Sequence, residues 1–344
     1  METGHYDTDV AIIGGGPAGS AAAIGCASQG LRVRVFERER FAAERPGETL
    51  HPGIEPLLAQ LGIDSERLAT VVGARHTGIW VAWNGIRRFD AFGSDTHGAW
   101  RGFQVRRTAF DALLLERASE LGVAVSQPCA VSGLLTQGDI VRGVLSAAGP
   151  VTARTVIDAS GRAQWLCRHR QISKTTASPR LIARYGYAAG AWPERDDAPH
   201  MTGDATGWLW TAKVWPGTYQ WTRVALDGTT IPADWMPAEM RHLTPNGPSR
   251  GADVTWRVAG EVAGPGWFMV GDAAAVLDPT SSHGVLKALL SGRTAAQLVG
   301  AILGGAAPPR EATEVYRDWL SGWFDNDAAQ MARFYAGLGV EGFG

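Results

Sequence analysis

Two groups of residues, far apart in the chain, have the types and spacing to hold one large, anionic ligand between them. In Asp9-Val-Ala-Ile-Ile-Gly-Gly-Gly-Pro-Ala-Gly19, the pattern Gly14-x-Gly16-x-x-Gly19 stands directly behind a short apolar run. There the first glycine permits a tight turn, the second lets backbone approach a pyrophosphate, and the third lets a helix pack on a strand. A helix opening at Pro17 and Ala18 would offer free N–H groups and the positive end of its dipole to the phosphates. Glu37 ends the next apolar run, eighteen residues past Gly19, and can accept from both hydroxyls of an adenosine ribose. A carboxylate there repels a 2′-phosphate, so the finger suits FAD or NAD.

The second group is Gly271-Asp272-Ala-Ala-Ala-Val-Leu-Asp278-Pro279-Thr-Ser-Ser282-His283-Gly284, which follows a buried-strand pattern at 267–270. Asp272 can hold a ribityl chain by hydrogen bonds. The turn through Pro279, Ser282 and Gly284 opens a helix whose N-terminus can face the N1–C2=O edge of a flavin, where a positive dipole favours the reduced anion. A nicotinamide dehydrogenase has no use for so late a segment, and the pairing predicts bound FAD.

These residues need elements to carry them. Residues 10–13, 17–29 and 31–36 read as strand, helix, strand. Helical spacing returns over 53–61 and 108–121, with Gly62 and Gly122 as stops. Short strands are expected at 123–125, 130–136, 140–145 and 151–157, with turns at Gly138-Asp139 and Ala148-Gly149-Pro150. Strands at 181–187, 207–214, 219–226 and 254–258 form a separate sheet, and helices over 284–303 and 311–335 close the chain. The expectation is an α/β protein with a discontinuous cofactor domain, 1–75, 101–165 and 259–344, and a β-rich substrate domain, 76–100 and 166–258.

Composition narrows the partners. The 344 residues are 45% hydrophobic and 19% charged, with a formal charge of −2, which gives no electrostatic reason to expect nucleic acid or an anionic membrane. Residues 1–9 carry Glu2, Asp7 and Asp9 where a signal peptide needs Lys or Arg, so a cytoplasmic location is expected. The three cysteines, Cys26, Cys129 and Cys167, are widely spaced and read as buried free thiols, and no spacing suggests a metal. Of the 14 tryptophans, Trp192, Trp208, Trp210, Trp215, Trp221, Trp235, Trp256 and Trp267 fall in one segment. They read as core packing of a thin sheet or as an aromatic pocket, with Trp208, Trp210 and Trp221 as the candidates to meet substrate.

The glycine finger, Arg45-Pro-Gly-Glu48, Gln104-Val-Arg-Arg107-x-x-Phe-Asp111, Asp158-Ala-Ser-Gly-Arg162 and Gly271 through Gly284 together resemble the FAD-dependent monooxygenase and halogenase superfamily. That resemblance implies a glutathione-reductase-type, Rossmann-like FAD domain with an inserted substrate domain. Within the superfamily, 46–53 and 277–288 look closest to flavoproteins that hydroxylate peptidyl tryptophan in tryptophylquinone maturation. The implied activity is hydroxylation of an aromatic ring, an indole above all, through a C4a-hydroperoxyflavin. Dioxygen would be co-substrate, with NAD(P)H or a partner flavin reductase as electron source. The alternatives are a flavin-dependent halogenase, an ene reductase or saturase of the geranylgeranyl reductase type, and a non-catalytic FAD-binding maturation partner.

Two departures bear on the halogenase alternative. Tryptophan halogenases carry a lysine two residues before a Gly-Ile pair, and His76 stands there, ahead of Gly78-Ile79. Their Gly-Trp-x-Trp-x-Ile-Pro signature is half present, as Gly207-Trp208-Leu209-Trp210-Thr211 runs into Ala212-Lys213. His283 reads either as a group that orients the oxidant or takes a proton, or as a loop histidine bonded to backbone. His76 and His51 are candidates of the same kind. Arg38, Arg45, Glu48 and Asp158 join the expected cofactor contacts, as does Arg107, which has a competing role in pinning Asp111. Residues 304–344 are too few for the covering C-terminal domain of many superfamily hydroxylases, so an open pocket suited to a protein-borne ring is expected.

Overall fold

The computed structural model describes residues 5–40, 45–281 and 283–343; Ser282 lies outside them. The β-branched run Thr8–Ile13 is a buried strand, flanked in parallel by Val33–Phe36 on one side and Gly149–Asp158 on the other. Ala124–Ser126 and Trp267–Met269 extend this sheet, again in parallel. Ile13 pairs with both Phe36 and Asp158, and Asp158 with Met269, so four strands end on one line. The crevice beyond such strand ends is where open α/β sheets bind ligands. The first half of Gly149–Asp158 also pairs antiparallel with Ile140–Ser146, which pairs in turn with Val131–Gln137.

Seven α-helices accompany the described strands: α1 (Pro17–Ala27), α2 (Ile54–Gln60), α3 (Ser65–Ala69), α4 (Arg107–Glu120), α5 (Trp165–Arg170), α6 (Gly284–Leu303) and α7 (Pro309–Gly337). α1 is made of small residues and is buried on nearly every side. It lies so close to α6 that a Cβ on Gly292 would stand 2.2 Å from the Ala18 carbonyl oxygen, and one on Gly25 2.8 Å from the Ala296 methyl. This close approach brings the start of α6 beside the glycine finger.

A second, mostly antiparallel sheet runs from Thr244–Pro245 through Ile182–Ala189, Thr218–Ala225, Gly207–Trp215 and His200–Asp204 to Gly78–Trp83 and Ile86–Ala91. Its register sets Trp210 opposite Thr222, Ala212 opposite Gln220, and Tyr185 opposite Thr222. Because side chains alternate between the faces of a strand, these residues share one face. On the other face Trp221 joins Trp192, Tyr219, Met240 and Leu243 in a separate small core. A three-stranded sheet of Lys174–Thr176, Arg257–Ala259 and Ala275–Val276 ties the two large sheets together.

The strand expected over 254–258 is split into Arg250–Asp253 and Arg257–Ala259. Asp253 causes the break, since its carboxylate accepts from the Thr255 N–H at 3.0 Å and turns the chain. Cys26, Cys129 and Cys167 are buried free thiols. Among the described residues no cluster of His, Cys, Asp and Glu could hold a metal, and no helix is long and apolar enough to cross a membrane.

Candidate functional site: a cavity between the two sheets

A cavity of about 720 Å³ runs from the crevice at the parallel strand ends to the face of the antiparallel sheet that carries Trp208 and Trp210. Gly14, Gly16, Pro17 and Ala18 line its early end. At Gly14 φ is +104°, and a Cβ would stand 2.4 Å from the Ala159 carbonyl oxygen. At Gly19 a Cβ would stand 1.9 Å from the Gly14 oxygen, so the helix packs on the strand through this position. A Cβ on Gly16, by contrast, would meet nothing within 4 Å. Gly16 is also the N-cap of α1 and supplies no side-chain cap. The space above it, faced by the orphan N–H groups of the first turn, fits a pyrophosphate.

Glu37 is fixed at the edge of this cradle, one carboxylate oxygen accepting from the Gly15 N–H at 2.8 Å and the other from the Glu39 N–H at 3.0 Å. Arg38 and Arg45 sit on the rim, and each is paired with Glu39, at 3.1 and 3.8 Å. Glu48 is buried in the wall and accepts from the Tyr187 hydroxyl.

Two expected cofactor contacts also hold protein groups: Arg107, which lines the cavity, and Asp158, which lies behind it. The Arg107 guanidinium donates to both oxygens of Asp111, at 2.9 and 3.1 Å, and to the Pro46 carbonyl at 2.9 Å. Asp158 is fully buried and accepts from Ser160 N–H at 2.9 Å and Leu166 N–H at 2.7 Å, so it shapes the Ala159-Ser160 turn that lines the cavity and does not itself line it.

At the late end, Gly271, Asp272, Pro279 and Gly284 all line the cavity. The Gly271 N–H donates to Ser291 Oγ of α6 at 2.9 Å, which anchors the segment on the helix. Burial raises the Asp272 pKa, while Arg162, Arg107 and Arg257 oppose the rise.

The three candidate histidines gather elsewhere. His283 caps α6 with its ring 5.4 Å from that of His51, and His51 and His76 stand 5.6 and 5.5 Å from Phe92. None of the three lines the cavity. The reason is local: the start of α6 presents the backbone of Gly284 to the cavity, and the His283 ring turns towards His51. Burial pushes His76 and His283 down to about 4 and lowers His51, so the cluster is uncharged at neutral pH.

Trp208 and Trp210 line the cavity as expected, and Trp221 does not, because it is on the opposite face of its sheet. Tyr185, Gln220 and Thr222 share the lining face; strict alternation from Trp208 and Trp210 through the strand register would have found them. Lys287, three residues into α6, also lines the cavity, with Nζ paired to Asp327 and lying 4.1 Å from the Trp323 ring centroid. Burial pulls its pKa down to about 8.

Residues 9–168 match the family described as FAD dependent oxidoreductase. The glycine finger, Glu37 and Arg107 fall inside this matched segment, which is just under half of the chain. Over 95% of its length the chain is 28% identical to a tryptophan 2-halogenase of Chondromyces crocatus, covering 68% of that protein. It is also 28% identical, over 95% of its length and 85% of the relative, to a 1H-pyrrole-2-carbonyl peptidyl-carrier-protein brominase of Pseudoalteromonas luteoviolacea (strain 2ta16). The structure of the flavin-dependent brominase Bmp2 superposes with a TM-score of 0.83 at 26% identity, over 95% of this chain and 87% of that one. These relatives are halogenases and not the peptidyl-tryptophan hydroxylases to which the motif resemblance pointed. The Rossmann-like α/β fold is theirs.

Proposed function

We propose that this FAD-dependent protein transfers an electrophilic halogen to an electron-rich aromatic ring held against Trp208 and Trp210. The observation that carries the reading is similarity to a tryptophan halogenase and a pyrrole brominase over 95% of the chain, substrate sheet included. Bound FAD, once reduced, supplies the means to activate dioxygen. NAD(P)H or a partner flavin reductase provides the electrons.

The chain's own residues divide the remaining work. The α1 N-terminus and Glu37 hold the pyrophosphate and adenosine ribose, and Asp272, Pro279 and the start of α6 hold the flavin half. Trp208 and Trp210 exclude water and orient the ring, which is an indole or pyrrole, free or carried on a protein. Lys287 is the one lysine among the described lining residues, and its lowered pKa suits it to handle a proton or an electrophile near neutral pH. Hydroxylation is the second reading, and His76 favours it. A buried imidazole, away from the cavity, stands where the halogenase lysine is expected.

The test is mass spectrometry of free tryptophan, a tryptophan peptide and a carrier-bound pyrrole after incubation with reduced FAD, labelled dioxygen and bromide. A gain of bromine supports halogenation, and a gain of labelled oxygen supports hydroxylation. Flavin reoxidation with every ring unchanged contradicts both. Lys287→Met is expected to lower ring modification by about 100-fold while bound FAD is retained.

A further inference from the structure

Asp278 directly precedes Pro279 in the flavin turn and is 2% exposed. Its carboxylate accepts from the Tyr335 hydroxyl at 2.6 Å, from Trp256 Nε1–H at 3.2 Å, and from both the N–H (2.8 Å) and the hydroxyl of Thr280. The Tyr335 oxygen in turn accepts from Trp208 Nε1–H at 3.0 Å. Hydrogen bonds thus run without a break from the aromatic wall of the cavity, through the last helix, to the turn that holds the flavin. Four segments of the chain meet here, at Trp208, Trp256, Asp278 and Tyr335, and Tyr335 is clamped by stacking on Phe343 at 4.5 Å. A buried carboxylate is unfavourable unless its lone pairs are met. The donors that meet these lone pairs come from the very surfaces whose spacing fixes ring against flavin.

We propose that Asp278 and Tyr335 form a positioning relay that couples the aromatic wall at Trp208 to the flavin turn. The proposal rests on the reading of the cavity as an FAD site. Burial raises Asp278 to about 6, and the bonds from Tyr335, Thr280 and Trp256 hold it below where burial alone would leave it. Among the described residues Tyr335, on α7, is a titratable group that touches it; its own pKa is raised, so it stays a donor. Trp256 and Thr280 approach from the sheet side and the turn and are uncharged. Above about pH 6 the cluster is a carboxylate ringed by donors, and below it the carboxyl takes up a proton and the donor pattern must change.

The experiment is a titration of the FAD-loaded protein from pH 5 to 8, followed by visible absorption and circular dichroism of the flavin, with and without indole. The parent is expected to show a transition near pH 6 whose midpoint moves when indole binds. Asp278→Asn should lose the transition while keeping FAD. Tyr335→Phe removes a bond that favours the ionised form, so the midpoint should move up by about 1 pH unit. Far-UV circular dichroism verifies that both variants fold, and the isosteric Asp278→Asn suffices if Tyr335→Phe does not. A yellow parent with a flat titration, or the same transition in all three proteins, overturns the relay alone. A parent that takes up no FAD overturns the cofactor reading and the relay with it.

Discussion

Gly16 and Gly19 are glycines for opposite reasons, and substitutions separate them. A methyl at Gly19 collides with the Gly14 carbonyl, so Gly19→Ala is expected to yield no soluble folded protein. A methyl at Gly16 meets no protein atom. Gly16→Ala should therefore melt within about 2 °C of the parent while its FAD Kd, measured by fluorescence quenching, rises by roughly tenfold or more. Arg107 and Asp111 make a buried ion pair, so Arg107→Ala strands a buried charge and should lose about 3–5 kcal/mol in urea unfolding. The sequence offered both roles for Arg107, because phosphate and Asp111 are each within reach of a guanidinium. In the fold its guanidinium bonds Pro46 and Asp111 while it also lines the cavity. His76 was legible as a departure from the halogenase lysine but not as a buried, uncharged ring. Its pKa is about 4 in the fold, against an ordinary value of 6.5, with burial as the cause. As pH falls, the unfolded chain binds the proton first. The stability tied to this ring is therefore complete above 6.5 and is lost as pH falls towards 4, by about 3 kcal/mol. Melting of His76→Phe should depend less on pH across that window than melting of the parent.

At the scale of elements, alternation along strands decides which tryptophan meets substrate. Trp210 faces the cavity and Trp221 the small core with Tyr219, although both lie in neighbouring strands of one sheet. Trp221→Ala is expected to lose about 3–5 kcal/mol of stability while KM for the ring is kept by the molecules that remain folded. Trp210→Ala should raise KM by about tenfold with a smaller loss of stability. The helices over 284–303 and 108–121 and most strands of both sheets were readable from period, as was the turn at 138–139; the turn expected at 148–150 falls at 147–148, and Gly149 and Pro150 already pair in the strand. Residues 76–100 were expected to be β-rich, and the hairpin at 78–91 within them turns at Asn84-Gly85, whose φ of 48° and 81° suit a tight two-residue turn. The helices α3 and α5 are five and six residues long, too short for a helical period to show.

At the scale of the molecule, the two halves of the cofactor site were legible because each has its own chemistry and one ligand must join them. Their physical junction is the contact of α1 with α6, built from glycine and alanine, residues that carry little pattern of their own. The return of α7 onto the substrate sheet was not legible. The bond between Tyr335 and Trp208 spans 127 residues and leaves no periodic signal. The whole account depends on one cavity built by distant segments to hold FAD. The direct measurement is titration of purified apoprotein with FAD, followed by flavin fluorescence and absorption. The prediction is saturation at one FAD per chain with a perturbed flavin spectrum, and saturation at roughly tenfold or more higher FAD in Gly16→Ala. A protein that neither quenches nor retains the flavin would contradict it.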